Sequence, residues 1–197
     1  DLTEAMRFGA SLVPYQVMVT VLALSDRLVI EAYLGTERVG VYALAAVLGG
    51  VMIFVNRSVV AAWHPLFYKR VETPEGRRAI GRDAMLVLLG TSCVGSLGAL
   101  ISDDVVRVVF DARYAEAGAL VAWLLAGYVV WQLFALVNLQ ILERERGTIS
   151  SAITVASGVL NIALNLWLVP IYGITAAAVT TFAAYAFQAI VGLVVAQ

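Results

Sequence analysis

The C-terminal part of the chain lacks charge. Residues 147–197 contain no Asp, Glu, Lys, Arg or His over 51 positions. A helix needs roughly 20 apolar residues to cross a bilayer, so this run is too long for one span and long enough for two. It is interrupted at Pro170-Ile171-Tyr172-Gly173, where proline disfavours further helix and glycine permits a tight turn. The segment therefore predicts a helical hairpin in lipid.

Other residue types are scarce throughout. Only 14% of residues are charged, against about 25% in soluble domains. The lone cysteine, Cys93, excludes a disulfide framework, and we expect it to be a small buried hydrophobe. His/Cys clusters, a Gly-x-x-x-x-Gly-Lys phosphate loop and a Gly-x-Ser-x-Gly elbow are absent, so we expect no metal, no cofactor and no enzyme of these classes. No basic stretch is interleaved with aromatics, and nucleic acid is not an expected partner.

The apolar runs predict an all-α integral membrane protein with six transmembrane helices in a single bundle. The expected spans are 8–34, 39–63, 84–101, 117–142, 148–170 and 174–196. Polar residues 64–83 are expected to form a loop, and Val105–Phe110 a short interfacial turn. Gly95 and Ala99 form a small-xxx-small pair that permits close helix contact.

Basic residues are unevenly divided between the two sides that six spans create. The side carrying both termini and segment 64–83 holds eight, and the other side holds three. The first group is Arg7, Lys69, Arg70, Arg77, Arg78, Arg82, Arg144 and Arg146, and the second is Arg38, Arg107 and Arg113. By the positive-inside rule, the termini and segment 64–83 are predicted to be cytoplasmic.

Polar residues follow one face of the first predicted helix. Gln16, Thr20, Arg27 and Glu31 recur at helical spacing, and such a stripe should face protein or a water-filled cavity because charge in lipid is expensive. Arg27 either serves a functional cavity or forms a structural ion pair with Asp26 or Glu31, one turn away. Asp26 lies beside the stripe and is placed to reach another helix.

Further polar faces occur on the other helices. They comprise Asn56 and Arg57 on the second, Tyr128, Gln132 and Asn138 on the fourth, Ser150, Thr154, Ser157, Asn161 and Asn165 on the fifth, and Thr181, Tyr185 and Gln188 on the sixth. These faces either share a hydrophilic cavity or hold the bundle together by hydrogen bonds. Arg57 either lines that cavity or extends to the lipid headgroups. For Trp131, in mid-span, packing is favoured over substrate binding.

Several motifs together resemble one family. They are Ser25-Asp26-Arg27-Leu28-Val29-Ile30 with the following Leu34–Tyr42, then Ala62–Lys69, then Tyr114-Ala-Glu-Ala, and finally Asn161-x-x-x-Asn165 with Pro170-Ile-Tyr-Gly173. In order and spacing they are similar to the polysaccharide biosynthesis exporters, the Wzx-type O-antigen and oligosaccharide flippases of the MOP (MATE-like) superfamily. Thr175 departs from the pattern, since the family often has glycine there.

The resemblance implies one six-helix bundle of a MATE-like twelve-helix transporter. The chain starts at Asp1 without methionine or signal peptide, and we expect it to be a piece of a longer protein whose N-terminal six-helix half is its partner. The implied activity moves a lipid-linked oligosaccharide, an undecaprenyl-diphosphate glycan, across the cytoplasmic (inner) membrane. The implied role of cavity cations such as Arg27 is to attract the diphosphate. Membrane lipids and polysaccharide polymerase or assembly proteins are further implied partners.

Three other functions stay open at this point, one of which is a non-transporting structural or assembly module. A drug/cation antiporter of the same superfamily would favour buried carboxylates, for which Asp26 and Glu31 are available. An intramembrane enzyme of envelope glycan assembly would favour large outer loops with catalytic carboxylates or histidines, and these loops are absent from the sequence.

Overall fold

The computed structural model describes residues 20, 24–144 and 146–196, and every regular element in these ranges is helical. A first helix, α1, includes residues 24–34. The remaining elements are α2 (Thr36–Val71), α3 (Pro74–Val109), a 3-10 turn (Ala112–Tyr114), α4 (Ala117–Glu143), α5 (Gly147–Tyr172) and α6 (Ile174–Ala196).

Within the described ranges, five helices are long and apolar enough to cross a membrane: α2, α3, α4 with the preceding 3-10 turn, α5 and α6. The chain is thus an all-α, multi-pass membrane protein. The expected spans from 39–63 onward each fall inside one of these helices. Most of the first expected span, 8–34, lies outside the described residues, so the count of six stays a prediction.

The prediction of a loop at residues 64–83 is wrong. Helix α2 continues through Pro65 to Val71, and α3 begins at Pro74 after a turn of two residues. The hydroxyl of Thr73 caps α3 by accepting a hydrogen bond from the Gly76 amide at 3.1 Å, and proline suits the first helical position. Lys, Arg and Glu are good helix formers, so their appearance marks the expected edge of the bilayer rather than the end of the helix.

Helix α3 differs from the prediction in two further respects. It runs unbroken through Val109, so Val105–Phe110 does not form a separate interfacial turn. Cys93 is exposed rather than buried, because α3 packs on α2 and α4 with one side and turns the other outward. In a membrane that outward side contacts lipid, which accommodates a thiol as readily as a protein core does.

Helix α4 is the centre of the bundle. It packs against α2, α3 and α6, and more briefly against α5. Its side chains belong to all three apolar clusters of the core, for example Leu124 in the first, Phe134 in the second and Leu136 in the third. Since α4 lies at the centre, the polar faces of its neighbours converge on it.

The helix ends form two groups with different charge. Arg77 pairs with Glu143 at 3.4 Å, which places the α2–α3 and α4–α5 connections at the same end. Arg38 pairs with Glu116 at 2.5 Å and joins the connections at the opposite end. The predicted division of basic residues is therefore confirmed for the described ones. Arg7 lies outside the described residues, and the assignment of the basic end to the cytoplasm stays a prediction.

Close contact between α3 and α4 depends on Gly95. A Cβ atom added there would lie 2.7 Å from Cγ2 of Val129, whereas one added at Gly90 on the same helix meets nothing within 4 Å. We expect Gly95→Ala to destabilise the protein by about 1–3 kcal/mol, the usual range for overpacking. Thermal unfolding in detergent measures the effect, with Gly90→Ala as the control that leaves the melting temperature unchanged or raised. Equal melting temperatures for the two variants would contradict the close contact.

Candidate functional site

A cavity of about 480 Å³ lies inside the bundle. Its walls come from α1, α2, α4, α5 and α6, and they combine charged, amide, hydroxyl and aromatic side chains with a few apolar ones. The lining residues are Asp26, Arg27, Tyr42, Ala46, Ile53, Arg57, Leu124, Tyr128, Trp131, Thr154, Ser157, Asn161, Thr181, Ala184, Tyr185 and Gln188. Five separate helices thus contribute to one polar interior.

Two arginines supply the positive charge of this cavity. Arg27 on α1 is partly buried and Arg57 on α2 is exposed. Among the described residues, neither arginine has a carboxylate within 4.0 Å. The Arg27–Glu31 pair that the spacing allows is not formed, because Glu31 is exposed outside the cavity while Arg27 lies on its wall. Both guanidinium groups are therefore accessible to an anion in the cavity.

Asp26 lies in a buried hydrogen-bond network beside Arg27. Its carboxylate accepts from the Tyr42 hydroxyl at 2.6 Å, from the Asn165 amide at 2.6 Å and from the Thr181 hydroxyl at 3.2 Å. The donors come from α2, α5 and α6, so one carboxylate connects four helices. A buried carboxylate needs such donors to offset its desolvation. The expectation that Asp26 reaches other helices is confirmed.

The network continues between α5 and α6. Asn165 donates to Oδ1 of Asn161 at 3.2 Å and accepts from the Thr180 hydroxyl at 2.6 Å. Asn161 in turn donates to the Thr181 hydroxyl at 3.4 Å. Asn165 is fully buried behind the wall, whereas Asn161 lines the cavity. The i, i+4 spacing places the two asparagines on the same face of α5, one turn apart, so that their side chains can bond each other.

A second set of contacts joins α5 and α6 farther along the helices. The Gln188 amide donates to the Thr154 hydroxyl at 3.0 Å, and the Ser157 hydroxyl donates to the Ala184 carbonyl at 2.8 Å. All four residues also line the cavity. The two interpretations of the polar faces therefore both hold, since the same residues hold the helices together and form the cavity wall.

Aromatic side chains form another part of the wall. Tyr128 and Tyr185 lie with their ring centroids 6.0 Å apart, and Trp131 follows Tyr128 by one turn on α4. Although the sequence favours packing for Trp131, its side chain is only partly buried and lines the cavity. Flat aromatic surfaces beside guanidinium and amide groups suit a ligand with both apolar faces and polar edges.

The structure brings together about half of the predicted site residues. Asp26, Arg27, Arg57, Asn161 and Gln188 line the cavity, and Asn165 supports it from behind. Four predicted site residues do not line the cavity: Thr20, Glu31, Asn56 and Asn138. Asn56 instead donates a hydrogen bond to the Tyr128 carbonyl at 2.7 Å and so joins α2 to α4. Gln16 lies outside the described residues.

Sequence reasoning did not identify Tyr42 and Thr180 as site residues. Tyr42 is almost fully buried and provides one of the shortest contacts to Asp26. Tyr42 is a single hydroxyl on an otherwise apolar part of α2, 16 residues after Asp26, and that was the only feature of the sequence that set it apart. Thr180 lies next to Thr181, which the α6 stripe did include, and its contact to Asn165 shows that two adjacent hydroxyls can serve one network.

The arrangement suits an anionic molecule rich in hydroxyl groups. Within the described ranges, His, Cys, Asp and Glu nowhere gather in groups of three or more that would hold a metal ion. Asp26 is the one carboxylate among the lining residues, so the described wall offers no pair of acids for general acid–base work.

No family model, curated protein or solved structure matches the chain.

Proposed function

We propose that this protein is a membrane transporter that moves a lipid-linked oligosaccharide across the bilayer. The observation that carries the proposal is the cavity with Arg27 and Arg57, two cations that have no ion partner among the described residues, inside a bundle of apolar helices. A charged side chain at membrane depth costs free energy, and the charges that are found there commonly line a path for a ligand or an ion. A headgroup of phosphate and sugar cannot cross hydrocarbon unaided, and this cavity offers it a polar environment.

The lining residues match such a headgroup in chemistry. Guanidinium groups bind phosphate oxygens through paired hydrogen bonds. Asn161 and Gln188 present amides of the kind that recognise sugar hydroxyls, and Tyr128, Tyr185 and Trp131 offer aromatic surfaces. A cavity of about 480 Å³ falls within the usual range for small-molecule sites, which is enough for a diphosphate and about one sugar.

The resemblance to Wzx-type flippases supplies the rest of the proposal. The cargo is an undecaprenyl-diphosphate glycan for polysaccharide or O-antigen synthesis, moved outward across the cytoplasmic membrane. The chain corresponds to the C-terminal bundle of a MATE-like transporter, and an N-terminal six-helix half completes the cavity by rocking against it. The end that carries the α2–α3 turn and its basic residues faces the cytoplasm.

The test is an assay of the intact protein reconstituted in liposomes. A short-chain diphosphate-linked oligosaccharide is placed in one leaflet, and its appearance in the other is followed by accessibility to a glycan-binding lectin. We expect transport of the diphosphate glycan and none of a neutral glycolipid with the same sugars. Equal movement of both, or of neither, would contradict the proposal.

A cation antiporter is the second candidate, and the burial of Asp26 favours it. Its carboxylate is nearly inaccessible and has three hydrogen-bond donors, yet it also lines the cavity. The same liposomes distinguish the two functions. Uptake of an organic cation driven by a proton or sodium gradient, without movement of the glycan, would support the antiporter instead.

A further inference from the structure

A second depression lies on the outside of the bundle, between α2 and α3. It is a groove of about 350 Å³ with almost entirely apolar walls. Helix α2 contributes Val55, Val59, Ala62, Trp63 and Leu66, and α3 contributes Leu86, Val87, Gly90, Thr91 and Val94. The groove is open near Gly90, where an added Cβ atom meets nothing within 4 Å. It is separate from the transport cavity, with which it shares no lining residue.

One end of this groove leads to basic side chains. Lys69 and Arg70 follow Leu66 by one helical turn, and Arg82 precedes Leu86 by one turn, so all three continue the groove-facing sides of their helices. Arg70 bonds Asp83 at 2.9 Å, and Arg82 contacts the same carboxylate at 3.3 Å. Residues 69–83, which form this end of the hairpin, contain five basic and three acidic residues, so the end carries a net positive charge.

We propose that this groove is a binding site for an anionic phospholipid, with an acyl chain along the apolar walls and the phosphate at Lys69, Arg70 and Arg82. The proposal does not depend on the transported substrate. It assigns a structural or regulatory lipid to the outer surface of the α2–α3 hairpin, in the leaflet next to its basic end.

Charge complementarity selects this occupant. A neutral lipid or an apolar helix would fill the groove but leave the excess positive charge at its end without a partner. An anionic phospholipid satisfies both regions, since arginine and lysine bind phosphate well and each basic residue near an anionic membrane surface contributes roughly a fivefold gain in affinity. Asp83 positions two of the basic side chains through its ion pairs, so the phosphate meets a partly ordered site.

The first test uses Trp63 as a reporter of the acyl chain. In the intact protein, every other tryptophan is changed to phenylalanine, and the remaining fluorescence is measured in vesicles with bromine on the lipid acyl chains. We expect brominated phosphatidylglycerol to quench Trp63 more strongly than brominated phosphatidylcholine at the same mole fraction. Equal quenching by the two lipids would overturn the selectivity for anionic lipid.

The second test measures bound lipid directly by native mass spectrometry after detergent extraction. Lys69→Ala with Arg82→Ala should reduce retention of phosphatidylglycerol by about tenfold or more, as expected for the loss of two basic contacts. Arg144→Ala with Arg146→Ala removes the same charge at the same end of the bundle and is the matched control. Equal loss in the two pairs would mean a general charge effect and would overturn the site.

A pair of glycine variants tests the apolar part. Gly90→Leu fills the groove, whereas Gly81→Leu adds the same side chain on the opposite side of α3, where an added Cβ also meets nothing within 4 Å. We expect only Gly90→Leu to displace the lipid. If phosphatidylglycerol remains bound to it, or if a peptide segment rather than lipid is protected in the groove, the assignment is wrong.

Discussion

Replacing Arg27 with alanine is expected to lower outward transport of the diphosphate-linked glycan by at least tenfold while the protein still inserts. Arg27 is partly buried on the cavity wall and has no carboxylate within 4.0 Å among the described residues. Removing one partner of a desolvated charge pair costs roughly 2–5 kcal/mol. This free-energy cost is larger than the roughly 1.4 kcal/mol that corresponds to a tenfold loss of transport.

Transport is measured in cells that lack their own exporter and produce the intact protein, with lipid-linked oligosaccharide quantified on each leaflet. Arg27→Lys should recover part of the activity, because it keeps the charge but not the paired donors. Arg38→Ala is the matched control, since its arginine lies outside the cavity in an exposed ion pair with Glu116. If Arg27→Ala transports as well as Arg38→Ala, Arg27 does not contact the cargo.

Replacing Asp26 with asparagine is expected to destabilise the fold by about 2 kcal/mol. The carboxylate offers two acceptor oxygens to three donors, one oxygen to the Asn165 amide and the other to the Tyr42 and Thr181 hydroxyls. Asparagine keeps only one acceptor oxygen, so at least one buried donor loses its acceptor, at about 1–3 kcal/mol. Polar contacts between membrane helices can be weaker than this, near 0.6 kcal/mol on average, but the Asp26 side chain accepts three hydrogen bonds rather than one. Thermal unfolding in detergent should show a melting temperature lower by several degrees.

A charge exchange provides the control for this prediction. Asn165→Asp combined with Asp26→Asn moves the carboxylate to the other end of the same 2.6 Å hydrogen bond and keeps one donor facing one acceptor there. The exchange also removes the longer bond that Asn165 donates to Asn161 at 3.2 Å, so full recovery is not expected. The double variant should recover at least half of the stability lost in Asp26→Asn, which a double-mutant cycle expresses as coupling. Additive losses in the double variant would show that the two side chains do not act as a pair.

The helical class could be predicted because apolar runs and their breaks are local properties. The hairpin of α5 and α6 illustrates this, since Gly173 ends the first helix as expected and takes a positive φ of 72°. The polar faces of these helices were predictable for the same reason, because side chains repeat every 3.6 residues. Their hydrogen bonds across helices confirm that these faces point inward.

What could not be predicted depends on contacts between distant segments. Asp26 and Asn165 are 139 residues apart, and no periodicity shows that α1 meets α5 beside α6. The order of helices around α4 also decides which polar residues face the cavity. Asn56 and Asn138 are asparagines in predicted spans, as Asn161 is, but the packing of the helices places them outside the cavity wall. The loop assigned to residues 64–83 was wrong because polarity reports the expected bilayer edge and not the backbone conformation.

The two one-residue turns have a mechanical consequence. Gly35 joins α1 to α2 and Gly173 joins α5 to α6, both with positive φ and both at the same end of the bundle. If either pair of helices opened about its glycine, the two helices would separate in proportion to the distance from that turn. Asp26, Asn165 and Thr181 all lie eight or nine residues from a turn, about 12–14 Å along the helix axis.

Thr154 and Gln188 lie 19 and 15 residues from Gly173, about 28 and 22 Å along their helices. The same angular opening of α5 and α6 moves this pair about twice as far apart as it moves Asn165 from Thr181. Such an opening would therefore break the Gln188–Thr154 hydrogen bond before it disturbs the hydrogen bonds around Asp26.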